Sequence, residues 1–198
     1  KYIRLEEKLK EEIERDISRM IDSNKILAVH ARGADAQVNY KNHPIPIGVD
    51  KYIEETEKSI ELIGANKVFL ATDDNNILKA FIEKYQERLI YYKDVERSDG
   101  LRMSCYGEIQ RKQHHYRLGK EIIKDVYTLA ACDGLVCSAS YVSYMARIVK
   151  MASGKSYQTI NSISSTKRTK GMNLTDPLTI KKVETIWNQE LKIAKKEK

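Results

Sequence analysis

The sequence predicts an α/β domain built on a Rossmann-like, doubly wound parallel sheet. Three observations predict it. Short apolar runs at Ile26 to Val29, Val68 to Ala71 and Gly134 to Cys137 have the length of buried strands. Stretches with helical spacing of apolar residues stand between them, an alternation that covers both faces of a parallel sheet. Each run also ends, on its carboxyl side, in a polar cluster. Ligands of open α/β sheets bind just beyond the carboxyl ends of the strands, so these clusters are candidate binding residues.

Taken in order, Leu5, Leu9, Ile13, Ile17 and Met20 predict an amphipathic helix over about 3–22. A strand over 25–31 follows, then an irregular loop held by Pro44 and Pro46. Asp50 reads as the N-cap of a helix that turns Ile53, Ile60 and Ile63 inward. The strand at 68–71 leads into Thr72-Asp73-Asp74 and a helix carrying Ile77, Leu78, Phe81, Ile82 and Tyr85. Leu89 to Tyr92 makes a third strand, and 93–111 a long polar loop of the kind that is functional or disordered. Ile122, Ile123, Val126 and Leu129 place a helix across about 113–131. A strand at 134–137 opens through Ser138-Ala139-Ser140 into an apolar helix reaching Val149. A fifth strand is expected at 157–160, a mobile Ser/Thr/Lys-rich loop at 161–171, and a last helix burying Ile180, Val183, Trp187 and Leu191.

The 198 residues suit one domain or at most two small ones, with no internal repeat. No apolar run approaches the ~18 residues needed to span a bilayer. The chain begins at Lys1 inside a charged helical pattern, which suggests a piece of a longer protein. Cys105, Cys132 and Cys137 form neither an even disulfide framework nor a zinc pattern, and read as small buried residues of a reducing compartment. The net charge of +7 fits a phosphate-bearing ligand or nucleic acid. Many lysines, however, fall in the terminal helices and at Lys167-Arg168-Thr169-Lys170, and the twelve tyrosines are scattered. A basic nucleic-acid-binding module is therefore only the third reading, and a nucleic-acid partner is not expected.

Four places could carry chemistry. His30, Arg32 and Asp35 leave the first strand together; Arg32 offers a planar fork that engages a diphosphate in two hydrogen bonds, unless it pairs with Asp35. Of Asp73 and Asp74, capping the next helix accounts for one, leaving the other to anchor an arginine, a ribose or, least expected, a metal. Asp125 falls within the apolar stripe of its helix, where a carboxylate costs several kcal/mol unless paired. A buried ion pair would satisfy it; so would a ligand's donors, such as the N1 and N2 edge of guanine. Finally, Ser138, Ser140 and Tyr141 stand at a strand-to-helix junction that is ordinary capping or, with its N–H groups and hydroxyls, an anion site. Gly-x-Gly-x-x-Gly is absent, so any phosphate must be held by side chains and helix N-termini.

In order and spacing, the blocks Val29 to Asp35, Val68 to Asp74 and Asp125 to Ser140 resemble the GDP-fucose-dependent fucosyltransferases. The likeness is greatest to the α-1,6-fucosyltransferase and nodulation fucosyltransferase group, and covers roughly 25–150. The resemblance implies one lobe of an inverting, metal-independent GT-B enzyme that transfers fucose from GDP-fucose to a glycan acceptor, with no cofactor. Residues 1–198 would be a single donor-binding domain, with 1–23 as linking helix and 178–197 as C-terminal helix. The N-terminal lobe of the same protein would lie elsewhere. By matching position, His30 and Asp125 would contact guanine and Arg32 the β-phosphate. Ser138 and Ser140 would lie at the phosphates, with Asp73 and Asp74 on the floor. A non-catalytic nucleotide-sugar-binding domain would share these residues without needing a base.

Two departures stand out. Gly33 stands where the resemblance implies a second arginine, and the loop after Asp35 has no carboxylate where the resemblance implies a catalytic glutamate. His43 and Asp35 are the remaining candidates for the base.

Overall fold

The computed structural model describes residues 5–21, 24–33, 47–99 and 111–163. Asp35, His43, the Pro44–Pro46 loop, Cys105, the 164–171 loop and the helix expected at 178–197 lie outside the described residues.

Helix α1 (Glu7–Met20) leads to β1 (Ile26–Ala31), then α2 (Val49–Ile63), β2 (Lys67–Thr72), α3 (Asn75–Tyr85) and β3 (Leu89–Ile90). After the 91–99 segment come α4 (His114–Ala131), β4 (Gly134–Ser138), α5 (Tyr141–Ala152) and β5 (Thr159–Ile163). The five strands form one parallel sheet in the order β3-β2-β1-β4-β5. The expected fold is therefore the observed one. Chain order runs outward in one direction from β1 and in the other from β4. This reversal makes the β1/β4 junction the switch point, and ligands of such sheets bind beyond the carboxyl ends of the strands there.

Strand alternation divides the core into two layers. Leu27, Val29, Val68, Leu70 and Val136 pack against Tyr52 and Ile63 of α2 and Ile77, Phe81 and Tyr85 of α3. Ile26, Ala28, Phe69, Ala71, Leu135 and Cys137 face the other way, against Leu129 of α4, Ala146 of α5 and Tyr92. Cys132 and Cys137 are buried free thiols. Among the described residues no helix is long and apolar enough to cross a membrane.

Several local expectations need correction. The N-cap of α2 is Gly48; Asp50 sits in the first turn, where the helix dipole favours an acid without a capping bond. Strand β3 ends at Ile90, so Tyr91 and Tyr92 leave the sheet. Strand β5 runs on through Asn161 to Ile163, because an edge strand with one open side tolerates the polar residues that read as loop. Ile82 is 41% exposed, since Ile77, Phe81 and Tyr85 already define the inner stripe of α3. Ile122 is 40% exposed; α4 instead turns Lys124 inward, toward Asp16 at 3.0 Å and Asp94 at 3.1 Å.

Candidate functional site

His30 is the last residue but one of β1 and sits in the same parity as Ile26 and Ala28, so it faces the α4/α5 layer. It is only 7% exposed, and its Nδ1 is buried with no hydrogen-bond partner. Burial, reinforced by the neighbouring Arg32 charge, pushes its pKa down to about 4, so the ring is neutral at physiological pH. A neutral imidazole with an unmatched buried nitrogen is rare in a settled core.

Asp125 lies in the same layer, one turn above the fully buried Leu129 on α4. Its side chain leans toward the helix N-terminus, the end that meets the carboxyl edge of the sheet. It is half-buried, and among the described residues it is reached by charges but by no hydrogen bond or ion pair. Withdrawal of the carboxyl from water raises its pKa to about 7, a rise opposed first by the charge of Arg97. Among the described residues the carboxyl is thus an acceptor without a donor.

Arg32 follows directly on β1 at its carboxyl end and is half-buried. Its neighbour Gly33 donates its N–H to Asp73 Oδ1 at 2.9 Å, which ties the end of β1 to the end of β2. Gly33 has no room for a side chain. A Cβ there would stand 2.6 Å from Asp74 Cβ and Oδ2 and 2.8 Å from Ile77 Cδ1. The glycine at this position is therefore built into the packing, and a larger side chain has no space there. Asp74 caps α3, its Oδ1 accepting from Asn76 N–H at 2.7 Å. Both carboxylates accordingly have protein partners, and Asp73 also acts electrostatically on Asp125.

On β4, Ser138 falls on the α2 side of the sheet and accepts a 2.7 Å hydrogen bond from the Tyr52 hydroxyl. Tyr52 is fully buried, and burial raises its pKa to about 12; its hydroxyl also interacts with the Arg32 backbone. One phenol from α2 thereby ties the two strand ends that flank the switch point. Ser140 is the N-cap of α5, accepting from Val142 N–H at 3.3 Å. The Ser143 hydroxyl donates to the carbonyls of Ser138 (3.0 Å) and Ser140 (2.9 Å), which fixes the turn between β4 and α5. Tyr141 is 77% exposed at the first turn of α5 and takes no part in the buried cluster. Among the described residues no group of three His, Cys, Asp or Glu side chains is arranged to hold a metal ion.

The structure gathers His30, Arg32, Asp73 and Ser138 around the β1/β4 end, with Asp125 above in the His30 layer. Tyr52 and Arg97 belong to the same neighbourhood and carry no mark in the sequence. Tyr52 neighbours Ile53, which fits the apolar stripe better, and Arg97 sits in a segment with no periodicity.

The family of alpha-(1,6)-fucosyltransferase N- and catalytic domains matches residues 1–162. This chain belongs to that family. No curated protein sequence matches it. Among solved structures, the fucosyltransferase fold recurs in NodZ alpha-1,6-fucosyltransferase co-crystallized with GDP. That match has 16% identity and a TM-score of 0.50, over 73% of this chain and 42% of that one. NodZ is from Bradyrhizobium. The fold recurs also in POFUT1 in complex with GDP, at 15% identity and TM-score 0.54, over 81% of this chain and 49% of that one. POFUT1 in complex with GDP-fucose gives 14% identity, TM-score 0.53 and coverages of 81% and 47%. At such identities the likeness is one of fold. The chain spans less than half the length of each of these proteins.

Proposed function

We propose that this fucosyltransferase-family chain is the donor-binding lobe of a GT-B enzyme. In this reading the enzyme transfers fucose from GDP-fucose to a glycan hydroxyl, with inversion and without a metal ion. The observation that carries the reading is a pair of polar groups in one layer: the buried His30 Nδ1, which has no hydrogen-bond partner, and the half-buried Asp125, whose carboxyl pairs with no described residue. A guanine edge carries adjacent N–H donors at N1 and N2 that match a carboxylate, and a further polar atom for a neutral imidazole. Arg32, past the end of β1, is one strand away from the Ser140 cap of α5. A diphosphate between them would meet a guanidinium on one side and helix N–H groups on the other.

As the bond between the sugar C1 and the β-phosphate oxygen breaks, negative charge grows on the departing GDP. Arg32 and the α5 N-terminus would stabilise that charge, the contribution that usually dominates such catalysis. The acceptor hydroxyl must lose its proton to a base. The two candidates for it, Asp35 and His43, lie outside the described residues. NodZ and POFUT1 are more than twice as long as the segments matched here, so we assign acceptor binding to another lobe. The chain alone should bind GDP weakly and turn over no donor.

Calorimetric titration with GDP, GDP-fucose and UDP tests the reading. GDP and GDP-fucose should bind, and UDP should bind markedly more weakly. Arg32→Ala removes a charge-assisted contact worth ~1.5–3 kcal/mol, a loss of roughly ten- to hundredfold in GDP affinity. Equal GDP affinity in the two proteins would remove Arg32 from the site.

A further inference from the structure

The 91–99 segment is docked rather than loose. Ser98 N–H donates to Asp73 O (3.0 Å), Asn75 N–H donates to Ser98 O (2.9 Å), and Asp74 and Ser98 form a parallel bridge beyond β2. This docking buries Arg97, which is 8% exposed. Its guanidinium donates to Val95 O at 2.9 Å and Tyr92 O at 3.0 Å, and lies 5.6 Å from the centre of the Tyr91 ring. Tyr92 in turn is fixed on α4 at both sides of Asp125. Its hydroxyl is 2.7 Å from Thr128 Oγ1, and its ring carries Lys124 Nζ at 4.4 Å. The arginine is thereby held on the Asp125 side of α4.

The other charges around Asp125 are already matched. Lys124 is engaged by Asp16 at 3.0 Å and Asp94 at 3.1 Å. Glu121, one turn from Asp125, is taken by a two-pronged contact from Arg111, at 2.6 and 3.2 Å. Asp73, from the end of β2, adds a negative charge, and His30 from β1 is neutral in this layer. Arg97 is the cation left over among the described residues facing Asp125, and it forms no direct ion pair with it. The charge of Arg97 is nonetheless the first to oppose the rise of the Asp125 carboxyl's pKa.

We propose that Arg97 is a positioning residue of the nucleotide site, supplying the counter-charge that lets Asp125 meet a base with adjacent N–H donors as a carboxylate. The proposal rests on the nucleotide-site reading above. A nearby opposite charge commonly moves a carboxyl's ionisation by a unit or more, and one unit is a tenfold change in the ionised fraction below the midpoint.

The test uses the full chain with Arg97→Gln, Arg97→Lys and Asp125→Asn, singly and as the Arg97→Gln/Asp125→Asn pair. GDP affinity is measured by calorimetry between about pH 5 and 9, across the usual range of perturbed carboxyls. In the wild type, affinity should rise through one ionisation near neutrality and then level. In Arg97→Gln the midpoint should move up by about one pH unit, with binding below it about tenfold weaker. Arg97→Lys should return most of the loss, and Arg97→Gln should add nothing in the Asp125→Asn background. A loss equal at every pH, or one that persists without Asp125, would reduce Arg97 to a structural role and overturn the proposal. The Asp125 carboxyl carbon, followed by NMR without nucleotide, separates the two claims. An unmoved midpoint in Arg97→Gln sinks the coupling whatever GDP does. A moved midpoint in a wild-type chain that binds no GDP sinks the nucleotide reading instead.

Discussion

Gly33 shows how a single position can be decided by what stands opposite it. Its hydrogen bond to Asp73 and its contact with Asp74 and Ile77 leave no space for a β-carbon. Gly33→Ala should therefore destabilise the chain by ~1–3 kcal/mol in urea denaturation, the usual range for overpacking. An alanine variant as stable as the wild type would mean that the end of β1 gives way freely. His30 and Asp125 make a second residue-scale prediction, about pH. The folded His30 titrates near 4 against an ordinary 6.5, so the unfolded chain binds more protons in that window and stability rises with pH across it. Asp125 titrates near 7 against an ordinary 3.8, so the folded chain binds more protons and stability falls as pH rises between those values. Between about pH 4 and 6.5 the two contributions oppose each other. Asp125→Asn should unmask a steeper rise in stability, and His30→Gln a decline relative to wild type. Urea midpoints measured across the range check both, and two variants with the wild-type slope would count against either burial.

Among the elements, the clamp from α2 holds the switch point together. The Tyr52 hydroxyl bonds Ser138 at the end of β4 and interacts with the Arg32 backbone beyond β1. Tyr52→Phe keeps the ring in its apolar slot and removes only that tie, leaving a buried Ser138 with one partner fewer. The expected loss is ~1–3 kcal/mol in thermal or urea denaturation, with weaker GDP binding beside it. The central strands were legible because β1, β2 and β4 are buried on both faces and must be apolar along their length. The edges were not. Asn161 and Ser162 in β5 satisfy an edge strand while looking like loop, and the backbone pairing that makes them strand is a tertiary contact.

For the whole molecule, the sheet order β3-β2-β1-β4-β5 brings residues that are far apart in the chain to one rim. Asp125 could be read in the sequence as a polar residue inside an apolar pattern, and His30 as a polar residue at the carboxyl end of a strand, although it lies within β1 rather than beyond it. Arg97 could not: its burial comes from a segment that docks across the top of β2, and docking leaves no period. The central claim is that the half-buried Asp125 carboxyl reads the edge of a guanine, and base selectivity is its most direct test. GDP and inosine diphosphate, which lacks the N2 amino group, are titrated into the wild type and Asp125→Asn. The account predicts that the wild type prefers GDP by roughly tenfold or more, the scale of one buried hydrogen bond to a charged group, and that Asp125→Asn loses that preference. A wild-type chain that binds both alike, or a variant that keeps the full preference, would contradict it.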